Sequence, residues 1–450
     1  MVTQIQEDAE TPWTALKGVG SVKISPLAGP VVGDIMVPGS KSFSNRALII
    51  AAMAVGRTKL TGLLRSDDTY WCADVLRRLG ADVDFKNITA NINGIGRQRP
   101  KSGVLHVGSA GTMARFLPCF LSAGEAGEWR VTASQQMSGR PVGPLFDALR
   151  KLGADITSLE LENCYPVLIT GNSFHGGRLA MAGNVSSQFI SGILMGAAQA
   201  PQGLDLTVTE GIVQSDYVRI TLDVMRHFGA NIIVSDDFTR FQVSPTGYNA
   251  RDLPVEADAS TATYFSALAA VSQGDVTLTN IGSQTRQPDY AFLDILERLG
   301  CEVTRSETAT RIRNQGSLKG GFSVDMKPLS DATLTLAAIA PFADGPITMT
   351  GVAHIRHHEC DRISAICTEL AKAGVCVEEH DDGLTVYPGK PKFAVLETYE
   401  DHRMAMSLAV LGAAGAGVEL MEPACVSKTC PGFFDEITKL GIGVQVFSAT

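Results

Sequence analysis

Residues 38–46 read PGSKSFSNR, so a Pro-Gly loop hands Lys41, Ser42 and Arg46 to the start of an apolar run. Ser42 and Arg46 are four apart and share one face of a helix that begins there. First-turn N–H groups lack intrahelical partners and carry roughly half a positive charge, so a Lys and an Arg added to them make an anion site. The arrangement recurs. Later apolar runs are entered by Ser109, Gly111, Thr112 and Arg115, then Ser186, Ser187 and Gln188, then Asp258, Ser260 and Thr263, then Asp331, then Asp401, His402 and Arg403. Ser, Thr and Asp are also the usual helix caps, each contributing about 1 kcal/mol, so Ser40, Asp258 and Ser260 fit that plainer role equally well. Capping does not ask for Arg46, Arg115, His402 or Arg403, because cations oppose the dipole at a helix N-terminus.

Further cations stand in loops: Arg140 in SGRPVG, Arg356 and Arg362 in IRHHECDR, and Lys428 in SKTCPG. Gly, Pro and Ser around them let a backbone approach a ligand. Two anionic ligands about 6 Å apart repel by about 0.7 to 3 kcal/mol per charge pair, for effective dielectrics of about 80 to 20. Holding both needs several fixed cations. Acid-base chemistry beside them has candidates in Glu359 and Asp361 of HHECDR, Asp331 of LSDATL and His402 of YEDHRMAM. Metal ligation is the lesser reading of His357, His358 and Glu359, since adjacent residues do not share a helix face and no HExxH spacing occurs. Cys425 and Cys430 likewise lack a second His/Cys pair nearby.

Two interleaved repeats must position these groups. The first is a helix-like stretch with a basic or polar last turn, a Gly, and an alternating strand: RRLGADVDF, RKLGADITS, RHFGANIIV, ERLGCEVTR, AKAGVCVEE and TKLGIGVQV, with Gly80, Gly153, Gly229, Gly300, Gly374 and Gly441 at the stops. A Gly just past a basic last turn is C-cap chemistry, and the period is roughly seventy residues. The second series consists of the runs near Lys41, Ala110, Ser186, Ala259, Asp331 and His402, which are apolar nearly all round. Such helices are buried, whereas the first series keeps a polar outer face. Pro118 and Pro341 interrupt two of the apolar runs, and an interior Pro costs about 3 kcal/mol, so those helices are expected to be kinked or short.

Each unit then has one buried helix, one surface helix and several strands, an α/β class. Six units divide most simply into two domains of three: residues 39–255, and residues 21–38 with 256–450, after a flexible tail at 1–20. The crossovers fall near residues 37–40 and 254–256 and return the strands VKISPL and VVGDIMV to the C-terminal half. Composition agrees: 450 residues, 45% hydrophobic and 6% aromatic, suit large aliphatic cores. Net charge −9 and a pI near 5.5 argue against nucleic acid or membrane as partners. Nine cysteines without a CxxC pair suggest a reducing, cytoplasmic compartment. The first twenty residues read as neither a signal nor a transit peptide, and no run is long and apolar enough to span a bilayer.

In order, PGSKSFSNRAL, AGTMARF, GRPVGPL, VSSQFISGILM, EADASTATYF, SDATLTLA, RHHECDRI, YEDHRMAM and SKTCPGFF resemble the signature segments of the EPSP synthase family, the 3-phosphoshikimate 1-carboxyvinyltransferases of the shikimate pathway. The resemblance runs from about Val22 to Phe434. It implies the enolpyruvyl-transferase fold, two domains of three βαβαββ units with the active site in the interdomain cleft. It also implies transfer of the enolpyruvyl group of phosphoenolpyruvate to the 5-hydroxyl of shikimate 3-phosphate, by addition and elimination of phosphate, in aromatic amino acid (chorismate) biosynthesis. No cofactor or metal takes part in that scheme, glyphosate is the inhibitor at the phosphoenolpyruvate site, and the resemblance favours a monomer.

By the same resemblance, Lys41, Asp331, Glu359 and His402 are the catalytic candidates, with Asp331 the base toward the hydroxyl and Glu359 the proton relay at the methylene. Phosphoenolpyruvate falls to Lys41, Gly111, Thr112, Arg140, Gln188, Arg362, Arg403 and Lys428. Shikimate 3-phosphate falls to Lys41, Ser42, Arg46, Ser186, Ser187, Gln188, Tyr217, Asp331 and His358. The chain departs from the family pattern at His358, often Lys, at Ser109 and His354, often Asn, and at Gln214, near a usual Ser. The alternatives are another acceptor, such as UDP-N-acetylglucosamine, or a non-catalytic binding paralogue. The first is disfavoured by the lack of a Cys in SQQMSGRPVG and by Lys41-Ser42 in place of Lys-Asn; the second by Lys41, Asp331, Glu359 and His402 standing together.

Overall fold

Six glycines end six helices. Gly80, Gly153, Gly229, Gly300, Gly374 and Gly441 all have φ between 78 and 99°, a backbone only Gly adopts without strain. At the first, the Gly80 N–H bonds the Arg77 carbonyl and the Ala81 N–H reaches back to Leu76, and the same pair of bonds closes the other five. Each is a Schellman cap, and the residues after it run out as a strand, as the repeat requires.

The computed structural model describes residues 9–98 and 102–449 and separates into two units. The first contains Gly39–Glu256 and the described residues up to Trp13; the second contains Thr14–Pro38 and Ala257–Thr450. In the first unit the helices are α1 (Lys41–Met53), α2 (Asp67–Arg78), α3 (Gly111–Ser122), α4 (Gly143–Lys151), α5 (Ser187–Ala197) and α6 (Ser215–His227). In the second they are α7 (Ala259–Val271), α8 (Phe292–Arg298), α9 (Thr333–Ile339), α10 (Arg362–Lys372), α11 (His402–Ala414) and α12 (Phe433–Lys439). The odd-numbered helices are buried along almost their whole length, and the even-numbered ones bury a single face. Each unit has its own apolar core.

Six small mixed sheets among the described residues share one plan. In one of them Ser102–His106 is parallel to Glu128–Thr132, which pairs antiparallel with Val167–Thr170, itself antiparallel to Asp155–Ser158. With α3 and α4 in the two crossovers this is a βαβαββ unit. Distant segments complete three of the sheets. Val19–Ile24 lies between Val418–Met421 and Val444–Ser448, and Val32–Ile35 is parallel to Asp275–Leu278. Tyr248–Asn249 and Leu253–Pro254 are parallel to Ala54–Thr61.

Three expectations change. The expected flexible tail at 1–20 is packed from residue 9 on: Thr11 Oγ1 donates to Asp67 at 2.6 Å and the Trp13 ring meets Tyr70 and Phe85 edge-on. Residues 1–8 lie outside the described residues. Helix α3 runs on through Pro118. Proline cannot donate to the Ala114 carbonyl one turn back, and the buried Tyr165 hydroxyl donates to it instead. By contrast α9 ends at Ile339, two residues before Pro341. Asp331 does not open α9; it stands in the 3₁₀ turn Lys327–Ala332 ahead of it, where Leu329 breaks the helical backbone.

Candidate functional site

In the first unit the loop into α1 depends on Gly39, where a Cβ would lie 2.0 Å from the Gly62 carbonyl oxygen. Ser40 then caps the helix and Lys41 is its first residue. Lys41 Nζ lies 3.9 Å from the buried Asp68 carboxylate at the start of α2. One turn into α1, Arg46 is buried: Nε donates to Thr221 Oγ1 at 2.6 Å, Nη1 to the Ser42 carbonyl at 3.0 Å, and Nη2 to Ser191 Oγ and the Tyr217 carbonyl, both at 3.3 Å. Its guanidinium also sits over the Phe116 ring. Those acceptors are neutral, and burial brings its pKa down to about 10. The expected phosphate ligand is therefore a buried cation bracing α1 against α5 and α6.

Helix α3 starts without a side-chain cap. Arg115 Nη1 donates to the Gly111 carbonyl at 2.8 Å, and a Cβ on Gly111 would stand 2.7 Å from that nitrogen and 3.2 Å from Arg140 Nη1. Glycine thus admits two guanidinium groups to one helix start. Thr112, expected to touch ligand, is buried and accepts from Asn45 Nδ2 at 2.6 Å, tying α3 to α1. At α5 Ser186 is the cap, receiving the Gln188 N–H at 3.3 Å, and Ser187 is buried. Gln188 is half-buried, and its Oε1 has no hydrogen-bond partner among the described residues. Tyr217 is half-buried in the first turn of α6, next to Gln214, whose backbone is left-handed at φ 51°.

In the second unit one guanidinium gathers three carboxylates. Arg362, the first residue of α10, donates from Nη1 to Asp331 at 3.0 Å, from Nη2 to Glu359 at 2.8 Å and from Nε to Asp401 at 2.7 Å. Its Nη1 also lies 2.9 Å from His358 Nδ1. Arginine can only donate, so the ring nitrogen is the acceptor in that contact. Burial opposes the charge on Arg362, but Asp401, Glu359 and Asp331 together outweigh burial and hold its pKa above the ordinary value. Arg403 Nη2 donates to the other oxygen of Asp331 at 2.8 Å, and Lys428 Nζ pairs with the other oxygen of Glu359 at 3.1 Å. Asp401 caps α11 by accepting the Arg403 N–H at 2.8 Å.

Exposure divides this cluster. The side chains of Asp331, Glu359, Arg403 and Lys428 are 14, 9, 7 and 7% exposed, whereas those of Arg362, Asp401 and His402 are 2, 0 and 0% exposed. Asp331 and Glu359 are thus partly exposed, with Arg403 and Lys428 buried beside them. His402, expected to move protons, is sealed with Nδ1 3.6 Å from Asp401, so it backs the site and does not line it. Arg362, expected to hold phosphoenolpyruvate, is likewise the hub behind the carboxylates.

Two further groups complete the second cluster. Asp289, buried in the 3₁₀ turn Pro288–Ala291, accepts from Ser260 Oγ on α7. Burial first, and then the charge of Asp331, push its pKa up to about 7. His354 Nε2 lies 2.8 Å from Ser330 Oγ, and burial lowers its pKa. Among the described residues no group of three or more His, Cys, Asp or Glu side chains is arranged to hold a metal ion.

Asp68 and Asp289 carry no functional signal in the sequence. Asp68 follows Ser66 in an ordinary capping box, so its sequence signal was that of a plain helix start. Asp289 had none.

A family model described as EPSP synthase (3-phosphoshikimate 1-carboxyvinyltransferase) matches residues 27–437. A relative named 3-phosphoshikimate 1-carboxyvinyltransferase 2, from Halalkalibacterium halodurans, is 48% identical over 446 residues, spanning 99% of this chain and 100% of its own. The 3-phosphoshikimate 1-carboxyvinyltransferase of Trichormus variabilis is 37% identical over 423 residues, 93% of this chain and 99% of its own. A solved EPSP synthase from Acinetobacter baumannii superposes with a TM-score of 0.80 at 25% identity, covering 95% of this chain and 99% of that one.

Proposed function

We propose an enolpyruvyl transfer for this chain from one premise: it belongs to the EPSP synthase (3-phosphoshikimate 1-carboxyvinyltransferase) family. The substrates are phosphoenolpyruvate and shikimate 3-phosphate, and the products are 5-enolpyruvylshikimate 3-phosphate and phosphate. In the first step the 5-hydroxyl loses its proton and its oxygen bonds to the central carbon of phosphoenolpyruvate while the methylene gains a proton. In the second, the new methyl gives a proton back and the C–O bond to phosphate breaks.

The observation that carries this reading is a pair of partly exposed carboxylates, Asp331 and Glu359, each paired with a cation. Arg403 is bound to Asp331 and Lys428 to Glu359. A substrate phosphate that recruits those two cations takes a partner from each carboxylate, and a carboxylate that loses a cation becomes the stronger base. Phosphate binding thereby arms Asp331 to accept the hydroxyl proton and Glu359 to exchange protons at the methylene. Lys41, Arg140 and Gln188 hold the phosphoenolpyruvate end, with Gly111 keeping its approach open. Ser42, Ser186, Ser187, Tyr217 and His358 hold the shikimate end. Arg46, Arg362 and His402 support these groups from behind, an arrangement in which positioned charges cost no reorganisation during reaction.

The finer parts of the reading are that the enzyme works as a cytoplasmic monomer and that glyphosate competes at the phosphoenolpyruvate end. Nine free thiols agree with a reducing compartment. The test is phosphate release on mixing phosphoenolpyruvate with shikimate 3-phosphate, against a parallel reaction with UDP-N-acetylglucosamine. Release with the first acceptor alone is expected; release with only the nucleotide sugar, or with neither, refutes the reading.

A further inference from the structure

We infer that Glu369 is a positioning residue for the reaction: from the far end of α10 it latches residues 397–401, the segment that delivers Asp401 and Arg403 to Arg362 and Asp331. The inference rests on the function proposed above and adds a residue that lies outside the cluster itself.

Glu369 is fully buried seven residues after Arg362, two turns along the same face of α10. Its Oε2 accepts the Glu397 N–H at 3.0 Å, and its Oε1 accepts the Tyr399 hydroxyl at 2.6 Å and the Lys372 ammonium at 2.9 Å. One face of α10 therefore grips one short segment twice: an anion holds residues 397 and 399, and the Arg362 guanidinium holds Asp401.

Between the two grips the backbone is unusual. Tyr399 and Glu400 both have left-handed conformations, with φ of 55 and 53°. Residues with a Cβ avoid that region, and two in succession persist only where their surroundings over-determine them. Thr398 adds a third hold, donating to the Met421 carbonyl at 2.9 Å. The left-handed pair turns the chain so that Asp401 both caps α11 and meets Arg362, leaving Arg403 on Asp331. If the latch is released, the pair relaxes toward ordinary backbone and the registration of Asp401 and Arg403 is lost.

The test uses the full-length chain with Glu369→Gln, which keeps shape but loses charge, and Tyr399→Phe, which removes one hydroxyl and guards against a Glu369 variant that fails to fold. Amide hydrogen exchange of residues 397–403 is measured without substrate, beside kcat/KM for phosphoenolpyruvate and thermal unfolding. The expected result is exchange at least tenfold faster over that segment and kcat/KM at least tenfold lower in Tyr399→Phe at a temperature where it is fully folded, with Glu369→Gln larger in both. Unchanged exchange overturns the latch. Faster exchange, or a lowered Tm, with kcat/KM within twofold of the parent overturns the positioning role and leaves Glu369 merely structural. A parent chain with no turnover overturns the functional reading, and the positioning role with it, while the exchange comparison still separates latch from no latch.

Discussion

Asp331 and Glu359 share one support: each accepts from a different terminal nitrogen of Arg362, at 3.0 and 2.8 Å, and each offers its second oxygen to a second cation, Arg403 or Lys428. The two carboxylates are thus held in fixed relation by a group that itself reaches no solvent. Removing either one leaves a buried guanidinium short of a partner, so chemistry and stability are coupled here.

Asp331→Asn keeps the side-chain shape and an acceptor, and removes the base. General acid-base catalysis contributes roughly 10²- to 10⁴-fold, so phosphate release is expected to fall by that factor while the far-ultraviolet circular dichroism stays native. Turnover at the parent rate would remove Asp331 from the role of base.

Gly111→Ala places a methyl 2.7 Å from Arg115 Nη1 and 3.2 Å from Arg140 Nη1. Both guanidinium ends must retreat, so the KM for phosphoenolpyruvate is expected to rise roughly tenfold, about 1.4 kcal/mol, with a smaller effect on kcat. Steady-state kinetics at saturating shikimate 3-phosphate would read this directly, and an unmoved KM would detach Gly111 from that substrate.

Asp289 supplies a pH signature. Its carboxyl is pushed from 3.8 up to about 7 in the folded chain, by burial and then by Asp331. A carboxyl that binds its proton more tightly when folded gives stability that is present at low pH and lost as pH rises from about 4 through about 7. Asp289→Asn cannot lose that contribution. Chemical denaturation should therefore find the variant gaining on the parent as pH rises from about 4 to about 7; a constant difference would show that Asp289 does not titrate in this window.

Tyr165→Phe tests the repair at Pro118. The hydroxyl satisfies the Ala114 carbonyl, and leaving a buried carbonyl unpaired costs about 1 to 3 kcal/mol. The denaturation midpoint should drop accordingly with kcat/KM unchanged. Adding Pro118→Ala, which restores the intrahelical donor, should recover part of the loss, and no recovery would refute this account.

Much of the fold was legible in the sequence because its signals are local. Gly80 and its five counterparts mark helix ends through their own left-handed backbone, a bond from the glycine N–H to the residue three earlier and one from the next N–H to the residue five before it. Buried and half-buried helices announce themselves in the apolar pattern of a dozen residues. The polar helix starts were legible for the same reason: Ser40, Ser186, Asp258 and Asp401 cap the turns that follow them.

By itself, then, the sequence determined the repeating units, their buried helices and which cations and carboxylates stand at helix starts. Only the tertiary structure decided which of those charges meet solvent and which brace others. Arg46 finds Thr221 175 residues away, and Arg403 finds Asp331 72 residues away. A charged side chain's role follows from its partners and its burial, and both are set by contacts between distant segments. A position in the chain fixes neither.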